Sequence, residues 1–370
     1  MGPELILLLL GALAAISASW VGWLAILVRR LRMVDPSGEL FRFPLPSAGQ
    51  EIAFLRYRPE TLTFAEPVIL CHGLAANRFN LDFFDDGAGS DRRSLARYLS
   101  RLGFDVWILE LRGTGLARVP PGADWTIDDE LEEDIPAALD AVLAESGAER
   151  VLWVGHSKGG IMQYLFQGRK RPGYEKVAAM VAIGSPGTVL HQVRSVRPLI
   201  WLGRGLTLML SRIPIRLLAV PLLPFVGIIH FVGRRVLKLI DALDPEVLRR
   251  LFANLPADVS RGVANQLMDW ASAPERTLYG LEDDALKGVR LPMLLVAGTL
   301  DNLAPPVAMQ HVFDRVGSED VTFRVMGRAH GSVVDYGHGD LIIGDHAPEE
   351  VFPLVGDWLA ARAKRLPEPE

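Results

Sequence analysis

The chain has 370 residues, more than a single core usually serves, so a main domain with a sizeable insertion is expected. A formal net charge of −5 argues against a nucleic-acid partner. The single cysteine, Cys71, excludes an intrachain disulfide and a zinc–thiolate cluster, while 49% apolar residues leave an excess that needs a location.

Leu5 to Val28 is almost wholly apolar and ends at Arg29-Arg30-Leu31-Arg32. A helix of that length spans a bilayer's hydrocarbon core. Trp20 and Trp23 lie near its basic end, where amphipathic rings anchor in the interface. The competing reading is a cleaved signal peptide, but the region before the apolar run carries Glu4 and no Lys or Arg. Residues 1–34 are therefore expected to form a single-pass amino-terminal transmembrane anchor. The basic cluster on its carboxyl side would leave the rest of the chain in the cytoplasm.

Asp35 to Gly49, rich in Pro and Gly, reads as a linker. Glu51–Tyr57 alternates at period two and predicts a half-buried strand. Pro67–Leu74 predicts a buried strand ending in a His72-Gly73 turn, with Cys71 as a small buried hydrophobe. Ser94–Leu102 has helical spacing and stops at Gly103, and Phe104–Glu110 is the next strand, running into Arg112-Gly113-Thr114-Gly115. Asp128–Ala144 predicts an acid-started helix. Val151–Val154 then passes without a gap into Gly155-His156-Ser157-Lys158-Gly159-Gly160 and the apolar helix beginning at Ile161. A strand turning straight into a helix at Ser157 demands a strained backbone with glycines around it. The hydroxyl is then held above the first amides of a helix, where negative charge is favoured. In that context Gly-x-Ser-x-Gly points to a nucleophile, against the alternative of an ordinary glycine-rich turn.

Val177–Ile183 is another strand, closing in Gly184-Ser185-Pro186-Gly187. From Thr188 to Arg290 the strand–helix alternation stops. Between Lys176 and Ile240 there is no acid at all, only arginines and Lys238 among long apolar runs. Such a segment suits an interface with anionic lipid, or else a cap whose apolar faces pack on the core. Leu291–Leu300 is a strand reaching Asp301, and Val321–Met326 is the last strand. The alternation of strands and helices implies an α/β class with a mostly parallel sheet and helices on both faces.

Leu70-Cys71-His72-Gly73-Leu74, Arg112-Gly113-Thr114-Gly115 and Gly155-His156-Ser157-Lys158-Gly159-Gly160 together resemble the α/β-hydrolase superfamily. Its carboxyl-terminal part resembles acid (gastric-type) lipases and, more distantly, the polyhydroxyalkanoate-synthase-like branch. Those synthases carry cysteine, and epoxide hydrolases and haloalkane dehalogenases aspartate, where this chain has Ser157. Glu110 stands where aspartate is commoner. The resemblance implies a hydrolase core in two parts, 35–187 and 291–370, around a helical cap at 188–290. It implies a triad of Ser157, Asp301 and His338, because Tyr336–Ile342 and the following Ala347–Val351 match the acid-lipase pattern around its histidine. His330 is the other candidate base, and Asp301 has the alternative of capping the turn before Pro305-Pro306. The oxyanion would rest on the amides of Leu74 and Lys158. His72 would brace the oxyanion loop, and the Lys158 side chain would reach an anionic substrate group or run out to solvent.

His330, Asp335, His338, Asp340, Asp345 and His346 could also be read as a metal cluster, but no His-x-x-x-His pair appears, and no metal or cofactor is expected. The expected function is a membrane-anchored serine esterase or lipase acting on esters with apolar acyl chains. The alternatives are an acyltransferase with the same triad, or an inactive hydrolase fold serving as a membrane scaffold. The expected partners are a lipid or ester substrate and the bilayer. Nothing in the chain speaks to oligomeric state.

Overall fold

The computed structural model describes residues 3–34, 37–84, 90–189, 193–228, 245–272 and 286–367, with side chains from Ser17, Trp201 and Glu246 onward in the first, fourth and fifth of these segments. Its frame is an eight-stranded sheet. The strands β1 (Glu39–Pro44), β2 (Glu51–Tyr57), β3 (Val68–Cys71), β4 (Val106–Glu110), β5 (Val151–His156) and β6 (Val177–Ile183) come first. Two short strands follow, β7 (Arg212–Ile213) and β8 (Val259–Ser260), and then β9 (Met293–Gly298) and β10 (Val321–Met326). The sheet order is β1-β2-β4-β3-β5-β6-β9-β10; β2 is antiparallel to both neighbours and every other pair is parallel. β1 lies inside the stretch expected as a linker: Leu40, Phe41 and Phe43 register against β2 despite the flanking Pro and Gly. Short edge strands tolerate such flanks, because one side of the ladder needs no partner.

The sheet is covered on both faces, which is why β3, β4, β5 and β9 are buried at every residue. Leu152 and Val154 point into a core shared with helices Leu95–Arg101 and Ala347–Ala360. Val151 and Trp153 point into the opposite core, packed by helices Ile135–Ser146, Lys158–Gly168 and Pro306–Phe313. The helix before β5 begins in a capping box, Thr126 with Asp129, and passes through a π turn at Glu130–Asp134 before settling into α geometry. That turn brings Glu130 and Asp134 to buried positions that a continuous α-helix would place differently.

Between β6 and β9 stand helices Val193–Met209, Ile215–Ala219, Pro245–Asn254 and Arg261–Ser272, with β7 and β8 paired antiparallel. Asn254 ties this insertion to the amino-terminal segment and to the core. It accepts from Met33 N–H at 2.9 Å, donates to Leu31 O at 2.9 Å, and its carbonyl accepts from Asn77 Nδ2 at 2.7 Å. The helix Pro3–Leu31 covers the apolar run. The single-pass anchor expected there is unsupported: among the described residues no helix is long and apolar enough to cross a membrane, and the side chains up to Ile16 lie outside them.

Candidate active site

Strand β5 sits near the middle of the sheet and delivers Ser157 at its carboxyl end, the position from which ligands are reached in open α/β sheets. Ser157 has φ +51° and ψ −117°, a conformation an L-residue holds only when its surroundings impose it. Those surroundings are the glycines. A side chain on Gly155 would come within 2.3 Å of the Gly159 carbonyl carbon, and one on Gly159 within 2.3 Å of the Cys71 oxygen. The Ser157 N–H donates to Ile183 O at 2.8 Å, which ties the elbow to β6.

Asp301 follows β9 and is buried. Its Oδ1 accepts from the amides of Leu303 (2.8 Å) and Ala304 (2.7 Å), and its Oδ2 lies 2.8 Å from His338 Nδ1. Burial raises its pKa, but His338 and the two amides outweigh that and hold the carboxyl below its ordinary value. Gly184, at the end of β6, backs onto the pair: a side chain there would come within 3.2 Å of His338 Nδ1 and 3.3 Å of Asp301 Oδ2. The structure thus brings together Asp301 and His338, and packs the His338 ring 4.7 Å from that of His156, the residue before Ser157. His330 lies elsewhere. It is exposed in the turn Arg328–His330, and among the described residues the hydrogen bond to Asp301 is made by His338 and not by His330. Of the acids near it in sequence, Asp335 accepts from Thr299 and the Arg328 amide, Asp340 from the Gly337 amide, and Asp345 pairs with Arg93.

The loop after β3 runs beside Ser157, since a side chain on Gly73 would meet the Ser157 Cβ at 3.2 Å. His72 Nδ1 lies 2.8 Å from Gly73 O and its Nε2 3.1 Å from Thr114 Oγ1, which braces the loop. Burial pushes the His72 pKa down to about 4, so the ring is neutral at pH 7. Burial likewise pushes the Cys71 thiol up to about 12. Glu110 is buried and occupied with the Arg78 amide and guanidinium and with the Leu116 amide.

Lys158 does neither thing expected of it. Its side chain is buried, and Nζ lies 2.8 Å from Glu130 Oε1 and 2.6 Å from Oε2. Glu130 also accepts from Trp125 Nε1 at 3.3 Å. No sequence signal identified this partner, because it depends on the π turn. Sequence reasoning likewise missed Asn80 behind the His72-Gly73 loop.

Ser157 and Lys158 are the polar members of an otherwise apolar cavity of about 500 Å³ that extends into the insertion. Leu206, Ile213, Val259, Ala264 and Met268 are among its walls. Leu202 and Leu218 line it and are also 62% and 51% exposed, so the cavity rim is itself apolar. Around it Trp201, Leu208, Met209 and Leu217 lie bare on the surface. Of the cations in this region, Arg204 pairs with Asp269 at 2.7 Å and Arg212 donates to Pro120 O, while Arg234, Arg235 and Lys238 fall outside the described residues.

The sequence profile described as the alpha/beta hydrolase fold matches residues 66–342. The poly(3-hydroxyalkanoate) polymerase subunit PhaC of Haloferax mediterranei is 24% identical over 334 residues, covering 85% of this chain and 63% of that protein. The human lysosomal acid lipase/cholesteryl ester hydrolase is 33% identical over 106 residues, 26% of this chain and 25% of that one. The chain therefore spans less than two thirds of the length of these relatives. Among solved structures, a bacterial membrane phospholipase A described as a virulence factor superposes with a TM-score of 0.55 at 20% identity, covering 97% of both chains, which establishes likeness of fold.

Proposed function

The chain belongs to the α/β-hydrolase family, and from that premise we propose that it is a membrane-anchored serine hydrolase cleaving carboxylic esters with apolar acyl chains. One observation carries this reading: a serine on a strained elbow lines an apolar cavity, near a buried Asp301–His338 pair. In the reaction His338 takes the Ser157 proton as the hydroxyl attacks the acyl carbonyl. Asp301, bound to Nδ1, keeps the imidazole in the tautomer that presents Nε2 and stabilises the imidazolium that follows. The amides of Leu74 and Lys158 receive the oxyanion, and residues 188–290 form the cap that houses the acyl chain. His338 then gives its proton to the leaving alcohol, and water entering by the same route releases the acid.

Membrane attachment rests on the helix Pro3–Leu31 together with the bare apolar residues of the insertion. Trp20 and Trp23 are partly exposed, and Trp20 lies 6.4 Å from Phe225 of the insertion, so helix and insertion offer one continuous apolar surface. The basic residues Arg29 and Arg30 at the helix end favour the cytoplasmic side for the catalytic domain. A second reading, acyl transfer, is favoured by the match to a polymerase over 85% of the chain. The two share the acyl-enzyme and differ in the acceptor.

The test is hydrolysis of p-nitrophenyl esters from acetyl to palmitoyl by the full chain in detergent and in vesicles, beside Ser157→Ala. We expect turnover that rises with chain length and falls at least ~10³-fold in the variant. Equal inertness of both proteins, with no fluorophosphonate labelling of Ser157, overturns the reading. Product partitioning to an added alcohol instead of water would favour acyl transfer.

A further inference from the structure

Asn80 closes the short helical turn Arg78–Asn80 and is buried, as is His156, the last residue of β5. Asn80 Oδ1 accepts from the Gly73 amide at 2.9 Å. An amide N–H only donates, so this contact fixes which way the Asn80 carboxamide points. The same oxygen lies 2.9 Å from His156 Nδ1, and the other ring nitrogen, Nε2, lies 3.2 Å from the carbonyl oxygen of His338. Both nitrogens of His156 therefore face acceptors. A neutral imidazole carries one proton and satisfies only one of them. A second proton is opposed by burial, which pushes the His156 pKa down to about 3, and by the neighbouring His338.

We propose that His156 is held as the neutral Nδ1–H tautomer and that His156 and Asn80 form a positioning pair, which keeps the oxyanion-loop amides in register with the nucleophile. The shorter contact, 2.9 Å against 3.2 Å, places the proton on the Asn80 side. One oxygen then receives both Gly73 N–H and His156 Nδ1–H. The loop that supplies Leu74 N–H is thereby tied to the residue next to Ser157. The unfilled Nε2 faces the backbone of His338, whose ring packs against His156. Neither residue touches substrate; the pair acts through the Gly73 amide. This inference rests on the serine-hydrolase reading above.

The experiment is 15N-detected NMR of histidine ring nitrogens in the full-length wild type, with the His156 signals assigned as those lost in His156→Phe among the eight histidines. We expect a protonated Nδ1 and an unprotonated Nε2. Asn80→Leu removes the shared acceptor, so the proton should move to Nε2, and kcat should fall about tenfold to a hundredfold with KM within about threefold. Asn80→Asp still accepts both bonds and adds a charge that favours a second proton on His156. It should show both ring nitrogens protonated and recover most of the lost kcat. A wild-type ring protonated on Nε2 overturns the proposal, as does an Asn80→Leu protein with unchanged tautomer and kcat. Because the tautomer is read without substrate, the expected NMR pattern in a protein inert on every ester would sink the ester reading and leave the Asn80–His156 pairing standing.

Discussion

Lys158 follows Ser157 in the chain, yet its ammonium is turned inward onto Glu130. Two charges taken out of water at the edge of an apolar cavity are tolerable only together. Glu130→Gln keeps an acceptor for Trp125 but leaves the Lys158 cation unpaired. The expected loss is about 3–5 kcal/mol, a fall in Tm on the order of 10 °C by calorimetry. The double variant Glu130→Leu/Lys158→Met removes both charges and should regain most of it. A single variant melting with the wild type would mean that the pair contributes nothing. Such a pairing was not legible in the sequence, where Lys158 and Glu130 are separate surface-type residues and the meeting depends on a turn geometry. The elbow was legible, because the demand for small residues around Ser157 is local and glycine meets it at fixed spacing.

At the scale of elements, the helices of the insertion matter through two faces. The inner face supplies Leu206, Ala264 and Met268 to the cavity, and the outer face leaves Leu208 and Met209 bare, at 86% and 85% exposure. Ala264 lies on the helix Arg261–Ser272, and a larger side chain there fills the space an acyl chain would use. Ala264→Phe should leave acetyl-ester turnover within about threefold and lower palmitoyl-ester turnover by roughly tenfold or more. A uniform loss across chain lengths would place the acyl chain outside this cavity. The alternation of strands and helices was readable from hydrophobic period, and so was its interruption after β6. The edge strand β1 was not, since a six-residue strand beside Pro and Gly looks like a linker until its partner β2 is known. The meeting of Asp301 with His338 likewise follows from the parallel pairing of β9 and β10, whose following loops bear them, and not from any spacing between the two.

For the whole molecule, the buried histidines set a pH limit. His72 and His156 are held near 4 and 3 against an ordinary value of 6.5, so the unfolded chain binds more protons than the folded one as the pH drops below about 6.5. Stability is therefore full above that value and is lost as the pH falls through the folded-state values. Asp301, held below 3.8, adds a further loss only at lower pH. Over the same range the Asp134 carboxyl, which burial pushes up to about 7, takes up its proton in the folded state and works the other way, so the check is relative: between pH 6.5 and 4 the Tm of the wild type should fall against that of His72→Gln. An unchanged slope in the variant would remove His72 from the account.

The order of strands along the chain has a consequence for synthesis. β6 is complete at Ile183, but its partner β9 begins only at Met293, with the whole insertion in between. At about 5–20 residues per second, a ribosome needs on the order of ten seconds to cross that interval. Throughout it the nascent chain carries Ser157 but neither Asp301 nor His338, and β6 is without its β9 partner. The segment emerging meanwhile is itself acid-free from Lys176 to Ile240 and rich in apolar runs. Ser157, Asp301 and His338 can therefore meet only after β9 has been made and has sealed the edge of β6.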